Sequence, residues 1–275
     1  MLIDVGVNLL NRQFRSDRNA VMQRAKSAGV EEVVVIATNL DESADAIDLV
    51  QHSGLRCTAG VHPHDAAAVP GDWQVRLQHL ASHPRVCAVG ETGLDFHRNF
   101  SPAHEQREVF AAQIDLAQTL QKPLYVHDRD SQGEVMDLLS AVGPLPPVLI
   151  HCFTGSARDL ENYLHAGFHI GITGWITDHE RGGSLRALVP EIPAERLMLE
   201  TDAPFLRPTN VPAQWLQQYA LPPRYKRRCE PAMLPFVLHT VAALRGEEPA
   251  DLAAITRANA IRFFGLAEPH APAEQ

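Results

Sequence analysis

Val86-Cys-Ala-Val-Gly90-Glu91-Thr92-Gly93-Leu94-Asp95-Phe96 begins as an apolar run and closes on an acid set between two glycines. A buried carboxylate is costly unless something positive meets it, and glycine lets a backbone turn sharply or approach a ligand closely. Alone, the stretch reads equally as a strand exit with a turn-capping glutamate. Three other apolar runs end the same way: Leu124-Tyr-Val-His127, Val148-Leu-Ile-His151 and Leu197-Met-Leu-Glu-Thr-Asp202. Four runs that each deliver Glu91, His127, His151 or Asp202 at the carboxyl end predict a divalent-metal site.

Outward from these runs the chain alternates strand and helix. Strands are predicted over Leu2–Leu9, Glu32–Thr38, Arg56–Val61, Phe168–Ile176 and Arg196–Asp202, besides the opening stretch and the runs that end at His127 and His151. Leu2–Leu9 places Asp4, Gly6 and Asn8 on one alternating face. Glu32–Thr38 is apolar throughout, as suits a parallel strand buried on both faces. Helical patterns cover the segment from a cap at Ser16 or Asp17 to Ala28, then Asp41–His52, Asp72–His83, Ala103–Leu120, Ser131–Val142, Ala157–Ala166 and Ser184–Val189. A proline- and arginine-rich loop, Phe205–Cys229, leads to closing helices near Pro231–Leu244 and Pro249–Phe264. Eight strands alternating with helices predict an α/β protein of the (β/α)8 TIM-barrel type in one domain over residues 1–267, with a frayed tail at 268–275. A doubly wound sheet would carry Gly-x-Gly-x-x-Gly after an early strand, and none occurs. Barrel active sites lie at the carboxyl-terminal face, where the four ligands fall.

The 275 residues are 45% hydrophobic and carry a net charge of −9. Whole-protein charge therefore gives no support for a polyanion partner, and any phosphate affinity must be local. Cys57, Cys87, Cys152 and Cys229 are scattered without a Cys-x-x-Cys pair and read as reduced core thiols. No signal-peptide pattern opens the chain and no apolar run approaches a membrane span. The expectation is a soluble, cytoplasmic protein with no membrane association and no sign of an obligate protein partner.

Carboxylate with neutral imidazole suits zinc, manganese, magnesium or iron. Glu91, between glycines, is placed to bridge two ions. Cys152 directly follows His151, so on a strand it points the opposite way, into the core. His62-Pro63-His64 sits at another strand end, where His62 and His64 serve as phosphate partners or His62 as a loop cap. Arg129, two residues beyond His127, either forks onto a phosphate or neutralises Asp95 or Asp202. Phe96, Phe153 and Trp175 lie at strand ends and serve either base stacking or barrel packing.

Ala59-Gly-Val-His-Pro-His-Asp65, Gly90-Glu-Thr-Gly-Leu-Asp-Phe96, Val126-His127, His151-Cys-Phe-Thr-Gly155 and Glu200-Thr-Asp-Ala-Pro204 occur in an order that closely resembles the TatD family of metal-dependent hydrolases, within the amidohydrolase-like barrels. Asp4-Val-Gly-Val-Asn8, Arg98-Asn-Phe-Ser101 and Gly171-Ile-Thr-Gly-Trp175 sharpen the likeness. The resemblance implies a divalent-metal deoxyribonuclease that trims single-stranded DNA from the 3′ end, with RNA as a further substrate class, and a link to DNA repair. Two departures stand out: Gly6 and Asn8 replace a first-strand His-x-His, and Cys229 replaces an asparagine ahead of Glu230-Pro231. The loop around Val211–Pro223 is also longer than usual. One firm ion is then expected on Glu91, His127 and His151, and a weaker one on Glu91, Asp202 and Asn8. Magnesium is favoured, with manganese or zinc as alternatives. Asp202 and Glu91 are the catalytic candidates, Asp202 taking a proton from water. Arg224, Lys226, Arg227 and Arg228 either steer the strand end or form a solvated loop. The competing functions are a small-molecule amidohydrolase or lactonase, and a non-catalytic barrel that binds a partner.

Overall fold

The computed structural model describes residues 1–218 and 227–266, so the tail at 268–275, Arg224 and Lys226 lie outside the described residues. Eight parallel strands follow one another in sequence order around a single sheet. They are β1 (Leu2–Val7), β2 (Val30–Val35), β3 (Arg56–Ala59), β4 (Val86–Asp95), β5 (Leu124–Arg129), β6 (Val148–His151), β7 (His169–Ile172) and β8 (Leu197–Leu199). Between them run α1 (Arg18–Ser27), α2 (Leu40–Val50), α3 (Trp73–Ala81), α4 (Ala103–Leu120), α5 (Glu134–Ser140), α6 (Ala157–His165) and α7 (Gly183–Leu188). After β8 come α8 (Ala213–Gln218), α9 (Leu234–Arg245) and α10 (Pro249–Phe264). The predicted (β/α)8 architecture holds. Among the described residues no helix is long and apolar enough to cross a membrane.

The seam between β1 and β8 closes beyond the last ladder pair of β8. Val7 bridges Ala203 in parallel, Asn8 N donates to Ala203 O, and Asp202 N donates to Gly6 O. Lower in the seam, the buried Asp4 carboxylate accepts from both the amide and the hydroxyl of Thr201. These bonds draw Asn8 and Asp202 together at the barrel mouth.

Two apolar layers surround the sheet. Ile3, Val5, Val34, Tyr125, Leu149 and Met198 pack inside the barrel, and Phe263 and Phe264 of α10 join the same cluster. The outward residues of the strands pack under the helices in a second, larger cluster. Lys122, at the entry to β5, donates to the carbonyls of Ala81, His83 and Val86, which ties it to the end of the barrel opposite the site.

Strand ends differ from the sequence reading. β7 and β8 are shorter than predicted because the chain leaves the ladder early. Thr173 caps a 3-10 turn over Gly174–Thr177, its hydroxyl accepting from Trp175 N. Strict alternation along β1 also fails. Val5 packs in the interior cluster, yet a Cβ on Gly6 would meet interior Glu200 as well; the ladder with β2 shifts register between Asp4 and Val7.

Asp17 precedes α1 without capping it through its side chain. Its carboxylate instead meets Arg228 at 2.8 Å and Arg24 at 3.2 Å, and Glu230 accepts from the same two arginines. Arg228 is 2% exposed, which corrects its placement in a solvated, strand-steering loop. The charge balance explains the burial: two guanidinium groups face two carboxylates across α1 and the segment that opens α9. Arg228→Ala leaves Glu230 half-compensated in the core and is expected to cost about 3–5 kcal/mol, read from the denaturation midpoint; a loss below about 1 kcal/mol contradicts this account.

Candidate metal centre

β5 and β6 pair with His127 directly beside His151, and β4 pairs Gly93 with His127. A Cβ on Gly93 would strike the His127 carbonyl, so only glycine lets these strands approach as they do. Glu91 then sits 5% exposed with Oε1 at 3.0 Å from His127 Nδ1, 3.4 Å from His62 Nε2 and 3.7 Å from His151 Nε2. Two donor groups result. His62, Glu91 and His127 offer ligand atoms all within 4.8 Å of one another, and so do His151, Cys152 and Asp202.

This partition differs from the one expected. His62 joins the Glu91–His127 group rather than standing apart as a rim residue, while His151 joins Asp202. Glu91 lies between the groups, as a bridging carboxylate would. Cys152 is not a core thiol. The strand ends at His151, and Cys152 takes φ of +47°, which breaks the alternation and turns its side chain into the mouth. Asn8 Nδ2 donates to Asp202 Oδ1 at 2.9 Å. Its amide therefore holds Asp202 with its NH2 end, in place of the ligand role expected from the sequence.

Electrostatics follow from burial set against mutual pairing. Burial pushes the Glu91 carboxyl up, but the charges of His62 and His151 and the bond from His127 outweigh it and hold it well below the usual carboxylate range. Burial pulls His127 down, and Asp95 and Glu91 reverse this to about 9. Burial also pulls His151 down, while Glu200 and Glu91 carry it up to about 10. Burial lowers His62 despite the opposing pull of Glu91. Asp202 rises to about 7, chiefly through burial.

Glu200 is the residue that the sequence reading quoted without assigning. It is fully buried. Its Oε2 accepts from Tyr125 Oη at 2.6 Å and lies 2.8 Å from His151 Nδ1, while Oε1 accepts from Cys152 N at 2.6 Å. The carboxylate thus orients His151 from behind and leaves Nε2 facing Glu91. Room for it comes from two glycines: a Cβ on Gly6 would lie 2.6 Å from Oε2, and one on Gly171 would overlap Oε1. An acid one residue beyond a buried strand, facing two glycines on neighbouring strands, was the available signal.

The remaining predicted residues divide. His64 and Arg129 line the mouth. His64 Nε2 meets Asp95 at 2.6 Å, and Asp95 Oδ2 lies 3.6 Å from His127 Nε2. Arg129 lies 5.8 Å from the Trp175 ring, and among the described residues it pairs with neither Asp95 nor Asp202. Trp175 lines the mouth, but its ring is occupied by Arg181 at 4.6 Å as well as by Arg129. Phe153 is buried edge-on against Tyr163, and Phe96 packs on the outer core under Arg107. Neither lines the mouth, which excludes both as base-stacking faces.

Three imidazoles, two carboxylates and a thiol converge on one mouth of about 390 Å³. The buried His127 Nε2 has no hydrogen-bond partner among the described residues. Such a donor set fits divalent cations. Because His127 and His151 are pushed up to about 9 and 10, a cation must displace a proton from each. Metal affinity is therefore expected to fall as pH is lowered from 9 to 6, with about one proton released at pH 7 when the His62–Glu91–His127 group is filled and more than one when the second group is filled, because burial keeps the Cys152 thiol protonated until a cation displaces its proton. Titration calorimetry in buffers of different ionisation enthalpy measures this directly; binding without proton release contradicts the charge assignment.

The comparison with known proteins agrees with this geometry. A family model described as TatD related DNase matches residues 3–265. A Pectobacterium parmentieri protein named 3′-5′ ssDNA/RNA exonuclease TatD is 44% identical over 97% of this chain and 100% of its own length. A Shigella flexneri protein of the same name is also 44% identical, over 97% of this chain and 100% of its own length. The crystal structure of the YjjV TatD homologue from Escherichia coli superposes with a TM-score of 0.86 at 25% identity, covering 97% of this chain and 98% of that one. With the match spanning the barrel from β1 to α10 and taking in both donor groups, the chain belongs to the TatD-related DNase family.

Proposed function

We propose that this protein is a divalent-metal-dependent 3′-5′ exonuclease that hydrolyses phosphodiester bonds at the ends of single-stranded DNA and RNA. The observation that carries the reading is the pair of donor groups joined by Glu91 at the mouth of a barrel whose 44%-identical relatives bear that name. A divalent cation held there supplies Lewis acidity and brings the pKa of water from about 15.7 toward about 7. His62, Glu91 and His127 would hold one ion, and His151, Asp202 and Cys152 a second. Imidazole favours manganese or zinc over magnesium in the first group, since magnesium prefers oxygen ligands.

The chain's own groups do the rest. Asn8 fixes one oxygen of Asp202, leaving the other placed to accept a proton from water. Arg129, which pairs with no carboxylate among the described residues and lies 5.8 Å from the Trp175 ring, is positioned to meet a non-bridging phosphate oxygen. His64, tied to Asp95, lines the same mouth.

The space beside Gly6 weighs against the amidohydrolase alternative. Glu200 and Tyr125 already fill the position where such enzymes commonly carry the first histidine of their pair. The partner-binding alternative does not account for a complete donor set.

Glu91→Ala is expected to reduce hydrolysis to background, whereas Asn8→Ala costs about 10–100-fold because it only orients Asp202. Equal losses in initial rate would undo the distinction between ligand and support. Labelled single strands blocked at the 3′ or the 5′ end, and a closed single-stranded circle, test the polarity in magnesium, manganese and zinc. Protection of the circle and of the 3′-blocked strand is expected; rapid cutting of the circle would show an endonuclease.

A further inference from the structure

Five large apolar side chains are exposed among the described residues, and only two of them are aromatic: Phe100 at 66% and Phe205 at 46%. Both line the mouth that holds the metal donors. Scattered exposed apolar residues need no explanation, but two exposed phenyl rings on one polar cavity differ from scatter. They also fall on opposite donor groups. Phe100 lies 4.7 Å from the His64 ring, and His64 contacts His62 on the side of Glu91 and His127. Phe205 follows Asp202 by three residues, its amide donating to the Asp202 carbonyl, on the side of His151 and Cys152. Two arginines line the same mouth: the Arg98 guanidinium lies 6.0 Å from the Phe100 ring, and the Arg129 guanidinium lies 5.8 Å from the Trp175 ring.

We infer that Phe100 and Phe205 form a two-sided base clamp, each stacking the base of one of the two nucleotides joined by the scissile phosphate, while Arg98 and Arg129 meet the phosphates beside them. The inference rests on the proposed nuclease reading and specifies how its substrate is gripped. Every base has a π-face, so such a clamp is indifferent to sequence and to the sugar. It also requires two neighbouring bases to splay apart, which a paired duplex end resists. Selection for unpaired ends thus follows from the rings rather than from the metal donors. Elsewhere the mouth is lined by acids, including Glu42, Asp65 and Asp128, which among the described residues leaves these two arginines as its guanidinium groups. The grip is accordingly confined to a few terminal nucleotides.

The test uses a 5′-labelled single strand with phosphorothioate linkages, read by fluorescence anisotropy, with the last or the penultimate nucleotide natural or abasic. In the metal-loaded wild-type protein, each abasic replacement is expected to raise Kd about tenfold, given a stacking contribution of about 1–3 kcal/mol per base. Phe100→Ala and Phe205→Ala should each raise Kd for the natural strand by a similar factor. Each variant should then be insensitive to an abasic residue at one of the two positions and remain sensitive at the other. Phe100→Trp should retain wild-type affinity. Both rings are exposed, so truncation removes no core, and unchanged melting temperatures confirm it. The clamp is overturned if the alanine variants bind the natural strand as wild type does, or if abasic penalties are the same in all proteins. If this pattern holds while a cleavable strand stays intact with every metal, the clamp stands and the nuclease reading fails.

Discussion

Glu91 is a carboxylate taken almost wholly out of water inside β4, just past its apolar run, and such a group is tolerated only where positive charge or strong donors surround it. Here the compensation comes from His62, His127 and His151, which arrive from three other strand ends. The requirement works in both directions. The carboxylate needs the imidazoles, and the imidazoles, two of them pushed toward the charged form, need the carboxylate or a cation. A divalent ion satisfies the same electrostatic demand as the protons it displaces. The barrel mouth is therefore poised between a protonated and a metallated form, and pH decides between them.

A second carboxylate sets the back wall. Glu200 occupies the interior one layer below the donors, where Gly6 and Gly171 leave it space, and it joins Tyr125, His151 and the Cys152 amide in one hydrogen-bonded group. Burial and Glu200 keep the Tyr125 hydroxyl protonated, so it remains a donor. The loss of a first-strand histidine and the presence of this network are the same structural fact seen from two sides: Gly6 is small because Glu200 is there. The donor atoms that cluster on this side belong to His151, Asp202 and Cys152, with none from the first strand.

The acidic balance of the chain and a polyanionic substrate are compatible because attraction is local. Arg98 and Arg129 supply fixed positive charge in a mouth otherwise lined by carboxylates, so attraction there is confined to these guanidinium groups and to any cation held by the donors, while the net charge of −9 belongs to the whole chain.

The order and type of the elements were legible in the chain because apolar runs, glycine and proline stops, and helical periodicity are local properties. Ala103–Leu120 and Val148–His151 match the observed helix and strand residue for residue. The convergence of Glu91, His127, His151 and Asp202 followed from one further rule, that strand ends of a parallel barrel meet on one face. Tertiary structure alone decided what depends on a residue's neighbours across the barrel. Cys152 faces the mouth because one left-handed residue breaks the alternation, Asn8 turns its amide to Asp202 across the seam, and Arg228 is buried because Asp17 and Glu230 come from distant segments to meet it. Phe153 and Phe96 sit at strand ends exactly as aromatic ligands would, yet pack outward, while Phe100 and Phe205, in loops without periodicity, face the mouth. Periodicity reports which side of its own strand a residue occupies; it carries no information about which loop folds back over the barrel, and that is settled by packing between segments far apart in the chain.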